Sequence, residues 1–324
     1  LSAAYIVVQR EEFGTRFFRP ERPLSFPDLV ASGRDGSFYL VENGWKSVIC
    51  ADMRGNIRFS LRGGSRSDES FYEAWYITAD ESGFLYMVNV VRDLDTGAVT
   101  KEEIRRYRPD GAFDKTLRTY RYLSAEEPGS FDTSGRLIAP KADSGRIRYL
   151  YKASEELVYV MEIDIASGTE SVMMALPSGI NPVDAVYFPD SIAVTDRSGR
   201  LLRISRQGAI HEEGRIGAPF IPGPMDADAS GAVYIADLGT HRIVKSHKGV
   251  ITPLLTPALL ESQHPGGREP LFRSLAADSS GTLFAVDESN NRIVRVDPSD
   301  GKISIVERVR VSRKTLWFRI SLCA

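Results

Sequence analysis

Short runs of apolar residues recur along this chain, each framed by the same order of residue types. Residues 228–246 and 278–296 align without a gap, as DASGAVYIADLGTHRIVKS and DSSGTLFAVDESNNRIVRV. Each run is about five β-branched, aromatic or small residues between turn residues, which is typical of a strand. The Gly permits a left-handed turn, and the Asp ahead of it can cap that turn. The pattern therefore predicts a turn, a strand, a capped turn and another strand.

The unit occurs six times in the 324 residues, with a marker residue ahead of each apolar run. The markers are spaced by roughly 50 residues, which leaves room for four short antiparallel strands in each unit. The stretch PALLESQ (257–263) predicts at most a turn or two of helix. The markers are Gly36, Gly83, Gly135, Gly231 and Gly281, with Asp190 in the place of the glycine in a weaker copy.

Six four-stranded sheets bury both of their faces when they pack around one axis. The sequence therefore predicts an all-β fold, a six-bladed β-propeller with four antiparallel strands per blade, over residues 23–311. A β-sandwich would need fewer strands, and a solenoid would need shorter and more uniform repeats. Residues 1–22 form either the end of a membrane anchor or a strand that closes the ring, and residues 312–324 form the start of a membrane helix or a last strand.

Two units are also similar to a known family. MDADASGAVYIADLGTHRIVK and LAADSSGTLFAVDESNNRIVRVD resemble NHL repeats, with an apolar strand, Asp-x-x-Gly, a second strand, a polar turn and then HRIV or NRIV. The units at Gly36 and Gly83 match moderately, and those around Gly135 and Asp190 are degenerate. The resemblance implies a six-bladed propeller of the NHL and TolB-like kind. It says little about chemistry, because this fold carries enzymes, RNA binders, protein binders and extracellular sensors.

Most of the repeated residues are expected to be scaffold. A polar residue ends strand two of each unit, where it can bind the amides of its own turn. Arg242 and Arg292 recur at one position, and we expect them to brace neighbouring blades. The polar column reads Glu42, Asn89, Lys141, Asp196, Asp237 and Asp287.

Strand one of each blade should line the central channel, with the position five before the marker facing it. Overlaying NPVDA on GPMDA places Asp184 level with Asp226, and Asn181 lies beside them. Two carboxylates near a channel mouth could bind a cation such as Ca²⁺, or a basic or polyhydroxyl ligand. Alternatively, each Asp binds nearby backbone amides or a neighbouring Arg. The other channel positions are Ala31, Thr78, Ser130 and Ala276.

Two long loops, residues 62–75 and 256–274, enter strand one, and loops of this length usually carry function or are disordered. Aromatic side chains beside arginines suit a peptide, a sugar or another amphipathic ligand. Alternatively, the aromatics only plug the mouth of the channel. With the turns between strands two and three, these loops bring to one face the candidate ligand-binding residues Trp45, Lys46, Tyr72, Trp75, His241, His264, Arg268 and Arg273.

Catalytic signatures are scarce in this sequence. His241 and His264 are the histidines expected to reach the channel mouth, too few for the metal site of amidating-type propeller lyases. Asn181, Asp184 and Asp226 leave open a gluconolactonase-like, Ca²⁺-dependent hydrolase. The net charge is -2, and the predicted face mixes lysine and arginine with acidic residues, so an RNA-binding NHL module is disfavoured and nucleic acid is not an expected partner.

The sequence therefore predicts a propeller that binds a small molecule, a peptide or a protein on its loop face, with no cofactor unless Ca²⁺ binds at the two aspartates. The terminal stretches LSAAYIVVQR and TLWFRISLCA are apolar but too short to cross a bilayer. If they continue into membrane helices, the domain is the extracytoplasmic sensor of a bacterial membrane protein.

Overall fold

A computed structural model of the chain describes residues 21–64, 70–93, 95–122, 137–143, 145–154, 156–216 and 220–311. It contains six sheets, each built around four consecutive antiparallel strands. The first strands of neighbouring sheets contact one another in a closed circle, so these strands line the channel of a six-bladed β-propeller. The predicted fold class is confirmed.

Each blade runs from the channel outward in chain order. Blades one to three contain β2 (Pro27–Ser32), β3 (Phe38–Glu42), β4 (Ser47–Ala51), β5 (Asn56–Arg62); β6 (Glu73–Ala79), β7 (Leu85–Arg92), β8 (Val99–Tyr107), β9 (Phe113–Arg121); β10 (Leu137–Asp143), β11 (Arg146–Lys152), β12 (Val158–Asp164) and β13 (Glu170–Ala175). Blades four to six contain β14 (Pro182–Tyr187), β15 (Ser191–Asp196), β16 (Arg200–Ser205), β17 (Ile210–Arg215); β18 (Pro222–Ala227), β19 (Val233–Asp237), β20 (Arg242–His247), β21 (Val250–Leu255); β22 (Phe272–Ala277), β23 (Leu283–Asp287), β24 (Arg292–Val296) and β25 (Ile303–Val306).

The ring is closed on the outside of blade one. Strand β26 (Arg308–Val311) pairs in parallel with β5, and β1 (Glu21–Pro23) pairs antiparallel with β26. Leu24 N donates to Glu307 O at 2.8 Å, and Val309 is fully buried. The two added strands therefore cover an edge that would otherwise present unpaired backbone groups.

Helix α1 (Pro257–Gln263) lies in the loop between blades five and six, where the sequence predicts a helical turn or two. Thr256 caps it by accepting a hydrogen bond from Leu259 N at 3.2 Å, and Pro257 occupies the first turn. Leu260 is buried in the core cluster between blades five and six. Within the described ranges, no helix is long and apolar enough to cross a membrane.

The hydrophobic core lies between blades rather than at the centre of the ring. Phe38 of blade one and Phe284 of blade six are fully buried, with their ring centroids 6.0 Å apart. Ring pairs at this separation add to the stabilisation that comes from burying their area. The strand-two runs FYLVE, VYIAD and LFAVD are buried along their whole length because both faces of their sheets pack on a neighbour.

The repeated polar residues are scaffold, as predicted. Asp228 Oδ1 accepts from Ser230 N at 2.8 Å and from Ala232 N at 3.1 Å, which caps the turn between strands one and two. Asp287, fully buried at the end of β23, accepts from Leu271 N at 3.2 Å. The expectation for the arginines is wrong, because Arg292 Nε bonds to Asp287 at 2.8 Å and Arg242 to Asp237 at 3.1 Å, each within its own blade.

Blade three departs from the predicted register. Gly135 was expected to open strand two, but Leu137–Asp143 is the innermost strand and Arg146–Lys152 is strand two. Lys141 consequently lies on the channel strand and not in the polar column that ends strand two. Ser130, the predicted channel position, lies outside the described residues.

Candidate functional site

The channel has two different ends. Strand one begins at the end that carries the strand-four-to-strand-one loops and the turns between strands two and three, here called the long-loop face. Strand one ends at the opposite side, here called the turn face. The sequence predicts that all the candidate ligand-binding residues lie at the long-loop face or at the channel mouth on that side.

Asp184 and Asp226 both lie on channel strands, but at different depths. Pro182 pairs with Asp196, and Pro222 pairs with Asp237, so these prolines are equivalent in blades four and five. Counting from them places Asp226 level with Val186, whereas Asp184 is level with Pro224. The expectation that the two aspartates lie level is wrong, because the overlay matched Pro182 with Pro224 instead of Pro222.

All four carboxylate oxygens of this pair already accept a contact from the protein. Asp184 accepts from Ala185 N at Oδ1 and from Met225 N at Oδ2, both at 2.8 Å. Asp226 Oδ2 accepts from Ala277 N at 2.8 Å, and Lys141 Nζ lies 3.0 Å from its Oδ1. Each aspartate thus bonds to the inner strand of the next blade, as the alternative interpretation from sequence expected.

These contacts do not suit a calcium ion. Ca²⁺ takes about six to eight oxygen ligands, while the oxygens here are engaged by amides and by an ammonium group. Within the ranges that the structure describes, no cluster of three or more His, Cys, Asp or Glu could hold a metal. The calcium site at Asp184 and Asp226 therefore stays a prediction that the geometry does not support.

The electrostatics of the channel centre on Lys141. Burial raises the pKa of Asp184 to about 6, although the Lys141 ammonium and two backbone amides lower it. For Lys141, burial lowers the pKa, but the carboxylates of Asp226 and Asp184 outweigh burial and raise it. Burial and the Asp184 charge also raise the pKa of Tyr76 and of Tyr187, so both phenols stay neutral.

A cavity of about 170 Å³ occupies the channel. Its walls come from the second halves of the inner strands, such as Ala31, Thr78 and Ala276, so it lies in the half nearer the turn face. Lys141 and Asp226 line it, but their charges satisfy each other. The channel is thus a polar and largely self-neutralised space, and the described residues that line it offer no free nucleophile or base.

Most of the predicted loop residues do lie at the long-loop face. The side chain of Arg273 is 59% exposed, and its Nε lies 3.6 Å from Asp28 Oδ1 of blade one. His241 Nδ1 lies 2.9 Å from Pro270 O, which ties a turn of blade five to the loop entering blade six. Tyr72 is half-buried, and its N donates to Asn89 Oδ1 at 2.6 Å. Lys46, Arg268 and Asn181 are exposed in the neighbouring loops, and Trp45 belongs to the 3-10 turn Asn43–Trp45.

Two predicted residues lie elsewhere. Trp75 is half-buried against the core between blades two and three, with the Arg92 guanidinium 4.7 Å above its ring. His264 ends helix α1, and its Nε2 lies 3.3 Å from Ile303 O on β25, the outermost strand of blade six. His264 therefore does not reach the channel mouth, and Trp75 acts as a packing residue.

The sequence interpretation missed an apolar arc at the long-loop face, formed by Ile221, Leu271 and Phe26. Each of these residues directly precedes strand one, in blades five, six and one respectively. The carbonyl of each accepts a hydrogen bond from the first residue after strand two of the same blade. Phe26 is 65% exposed and Ile221 56% exposed. A usable signal existed, because Phe26 and Ile221 each directly precede a proline that opens strand one.

The fold is shared with solved propellers. A streptogramin B lyase structure superposes with a TM-score of 0.54 at 14% identity, covering 88% of this chain and 84% of that one. Virginiamycin B lyase from Staphylococcus aureus gives 0.53 at 14% identity, covering 88% and 87%. A catalytically inactive histidine-to-alanine variant of that enzyme with quinupristin gives 0.53 at 14%, covering 91% and 89%.

At this level of identity the likeness concerns the fold alone. No family model matches the chain, and no curated protein matches it. The resemblance to NHL repeats therefore stays a prediction, while the six-bladed propeller is established.

Proposed function

We propose that this chain is a non-catalytic recognition module. Its long-loop face would bind a ligand or a protein segment that presents an apolar group beside an anionic one. The observation that carries the proposal is the apolar arc of Ile221, Leu271 and Phe26, which repeats one position in three consecutive blades and leaves two large side chains more than half exposed. Exposed apolar patches on a folded domain commonly mark an interaction site.

Backbone strain supports this assignment. Phe26 has a φ of 48°, a left-handed conformation that bulky residues rarely adopt. Its N donates to Asn291 Oδ1 at 3.2 Å, a contact with blade six that holds the strained conformation. Residues with a strained backbone cluster at ligand clamps and other functional sites.

The charges beside the arc favour an anionic group. The contact between Arg273 and Asp28 places the arginine between the blades of Leu271 and Phe26. Lys46 is exposed in the turn that contains Asn43, whose Nδ2 donates to Asp28 Oδ2 at 2.9 Å. Asp28 is thus shared by Arg273 and Asn43, while the Arg273 side chain remains largely open to solvent.

Catalysis finds less support. The inactive variant among the structural neighbours indicates that a histidine matters in that enzyme. In this chain His241 and His264 bond to backbone carbonyls, and none of the described residues that line the channel cavity is a histidine. The lactonase alternative needs carboxylates that are free to bind calcium, and those of Asp184 and Asp226 are engaged.

An anionic amphipathic dye, anilinonaphthalene sulfonate, tests the recognition surface. We expect saturable fluorescence with the native protein, a loss of at least about tenfold in affinity in the Phe26→Ser/Ile221→Ser double variant, and a smaller loss in Arg273→Gln. Val250→Ser is the matched control, since Val250 is 62% exposed on the outer strand of blade five. Equal dye binding by the double variant and the native protein would exclude the arc.

A membrane setting is a separate part of the proposal and rests on the two apolar terminal stretches of the sequence. In that setting the propeller is an extracytoplasmic sensor, and binding at the long-loop face is passed on through flanking segments. Cell fractionation of the full-length gene product, followed by protease treatment of intact spheroplasts, tests it. Recovery of the propeller in the soluble cytoplasmic fraction would contradict the sensor role without affecting the recognition surface.

A further inference from the structure

A second cavity, of about 180 Å³, lies between blades three and four on the turn-face side. Val160 and Met174 line it from blade three, and Phe188 and Ile192 line it from blade four. Arg148 and Tyr187 form a wall that it shares with the channel cavity. This cleft is remote from the apolar arc of the long-loop face.

The size of the cleft limits what it can hold. Pockets for drug-sized ligands measure about 300–1,000 Å³, which is well above this volume. An apolar protein cavity of about 150 Å³ is known to accommodate a benzene molecule. The cleft is therefore sized for one six-membered ring with a small substituent.

The lining suits an aromatic ring. Met173 and Met174 are half-buried on β13, and thioethers make favourable contacts with the edges of aromatic rings. Tyr187 packs in the same cluster from blade four, and its hydroxyl donates to Ala139 O at 3.1 Å, which fixes its ring. The apolar wall is thus built from adaptable sulfur on one side and a fixed aromatic ring on the other.

One cationic side chain of the cleft, that of Arg206, is available to a ligand. Arg148 bonds to Glu162 at 2.8 Å and to Asp143 at 2.9 Å, so the acidic group in the cleft is already neutralised. Arg206 is exposed at the rim, and among the described residues its guanidinium has no hydrogen bond or ion pair. The nearby Asp190 carboxylate instead accepts from Ser191 Oγ at 3.0 Å.

We infer that the cleft between blades three and four binds a small aromatic carboxylate. The ring of this ligand lies against Met173, Met174 and Tyr187, and its carboxylate pairs with the Arg206 guanidinium in the bidentate way that arginine favours. This site is independent of the proposed recognition surface.

Fluorine NMR with para-fluorobenzoate as the probe tests the inference. We expect saturable binding to the native protein with a Kd at or below about 1 mM, and at least about tenfold weaker binding to Arg206→Gln. Benzyl alcohol, which has the ring without the charge, should compete at least about tenfold less well than benzoate. Met173→Trp should abolish binding by filling the cleft from its half-buried wall.

Arg215→Gln is the matched control, because Arg215 lies on the outer strand of the same blade, pairs with Glu212 at 3.0 Å and does not line the cleft. It should bind the probe as the native protein does. The inference is overturned if the native protein shows no saturable binding, if Arg206→Gln binds equally well, or if hexanoate competes better than benzoate. Melting temperatures within a few degrees of the native value confirm that each variant is folded.

Discussion

The ammonium nitrogen of Lys141 lies 3.0 Å from Oδ1 of Asp226 and so joins blade three to blade five across the channel. The same nitrogen donates to Met225 O at 3.2 Å. Met225 N in turn donates to Asp184 of blade four. Three blades are therefore linked by one cation and two carboxylates, in a space that is only partly open to water.

Removing this cation should destabilise the fold. In Lys141→Met the carboxylates of Asp226 and Asp184 lose their neutralising charge, and we expect the free energy of unfolding to fall by about 1.5–3 kcal/mol. Urea unfolding at neutral pH measures the change. Lys302→Met is the control, because Lys302 is exposed in a surface turn and should change stability by less than about 0.5 kcal/mol. Equal effects of the two substitutions would contradict a structural role for Lys141.

Asp184 should make stability depend on pH in an unusual direction. Burial raises its pKa from 3.8 to about 6, so the folded protein holds this proton more tightly than the unfolded chain. The stabilisation from the proton is complete below pH 3.8 and is lost as the pH rises through about 6. Asp184→Asn does not titrate at this position. Relative to that variant, the native protein should therefore lose at most about 3 kcal/mol of unfolding free energy on going from acid to neutral pH.

Urea titrations of both proteins at several pH values between about 4 and 7 test this. The comparison with Asn keeps the shape of the side chain and an oxygen that can accept from Met225 N. A pH-independent difference would mean that Asp184 titrates normally and that its hydrogen bonds offset its burial. A difference that grows towards neutral pH would reverse the predicted sign.

The fold could be predicted from sequence because its local signals repeat. Asp-x-x-Gly ahead of an apolar run specifies a turn and a strand at each site, and Gly83, Gly231 and Gly281 all have the expected positive φ. In blade three, LIAPK is a short apolar run like those that form strand two in other blades, but it forms strand one. Inner strands and second strands are both short apolar runs, so residue type alone does not distinguish their places in a sheet.

The depth of each channel residue was harder to predict. It depends on which proline opens strand one, and blade five offers Pro222 and Pro224. Pairing with the buried Asp237 selects Pro222, a contact that no local pattern reveals. The bond between Lys141 and Asp226 joins residues far apart in the chain, so it follows only from the closed ring.

The buried aspartates that end strand two should be essential for stability. Asp287 is fully buried and Arg292 nearly so, and Asp287 also accepts from Asn290 Nδ2 at 2.8 Å. Asp287→Ala would leave the arginine charge buried without its partner, and we expect a loss of about 3–5 kcal/mol in the free energy of unfolding. Asp300→Ala, at an exposed turn of the same blade, should change stability little. A loss below about 1 kcal/mol for Asp287→Ala would show that the turn is held mainly by its backbone.

Alanine substitutions at two marker glycines should separate the cost of a strained backbone from the cost of steric crowding. Gly281 has a φ of 85°, and a Cβ added there would lie 2.8 Å from Tyr234 Oη and 2.9 Å from Asp228 Oδ2, two atoms that bond to each other at 2.8 Å. Gly36 has a φ of 67°, and an added Cβ would meet nothing within 4 Å. Gly36→Ala should therefore lose only the left-handed preference, about 1–2 kcal/mol. Gly281→Ala should lose about 1 kcal/mol more, because the methyl group separates Tyr234 from Asp228.

Adding Tyr234→Phe to both variants completes the comparison, since removal of the hydroxyl should erase most of the difference between them in urea unfolding. A difference that persists without the hydroxyl would place the crowding on the Asp228 carboxylate alone.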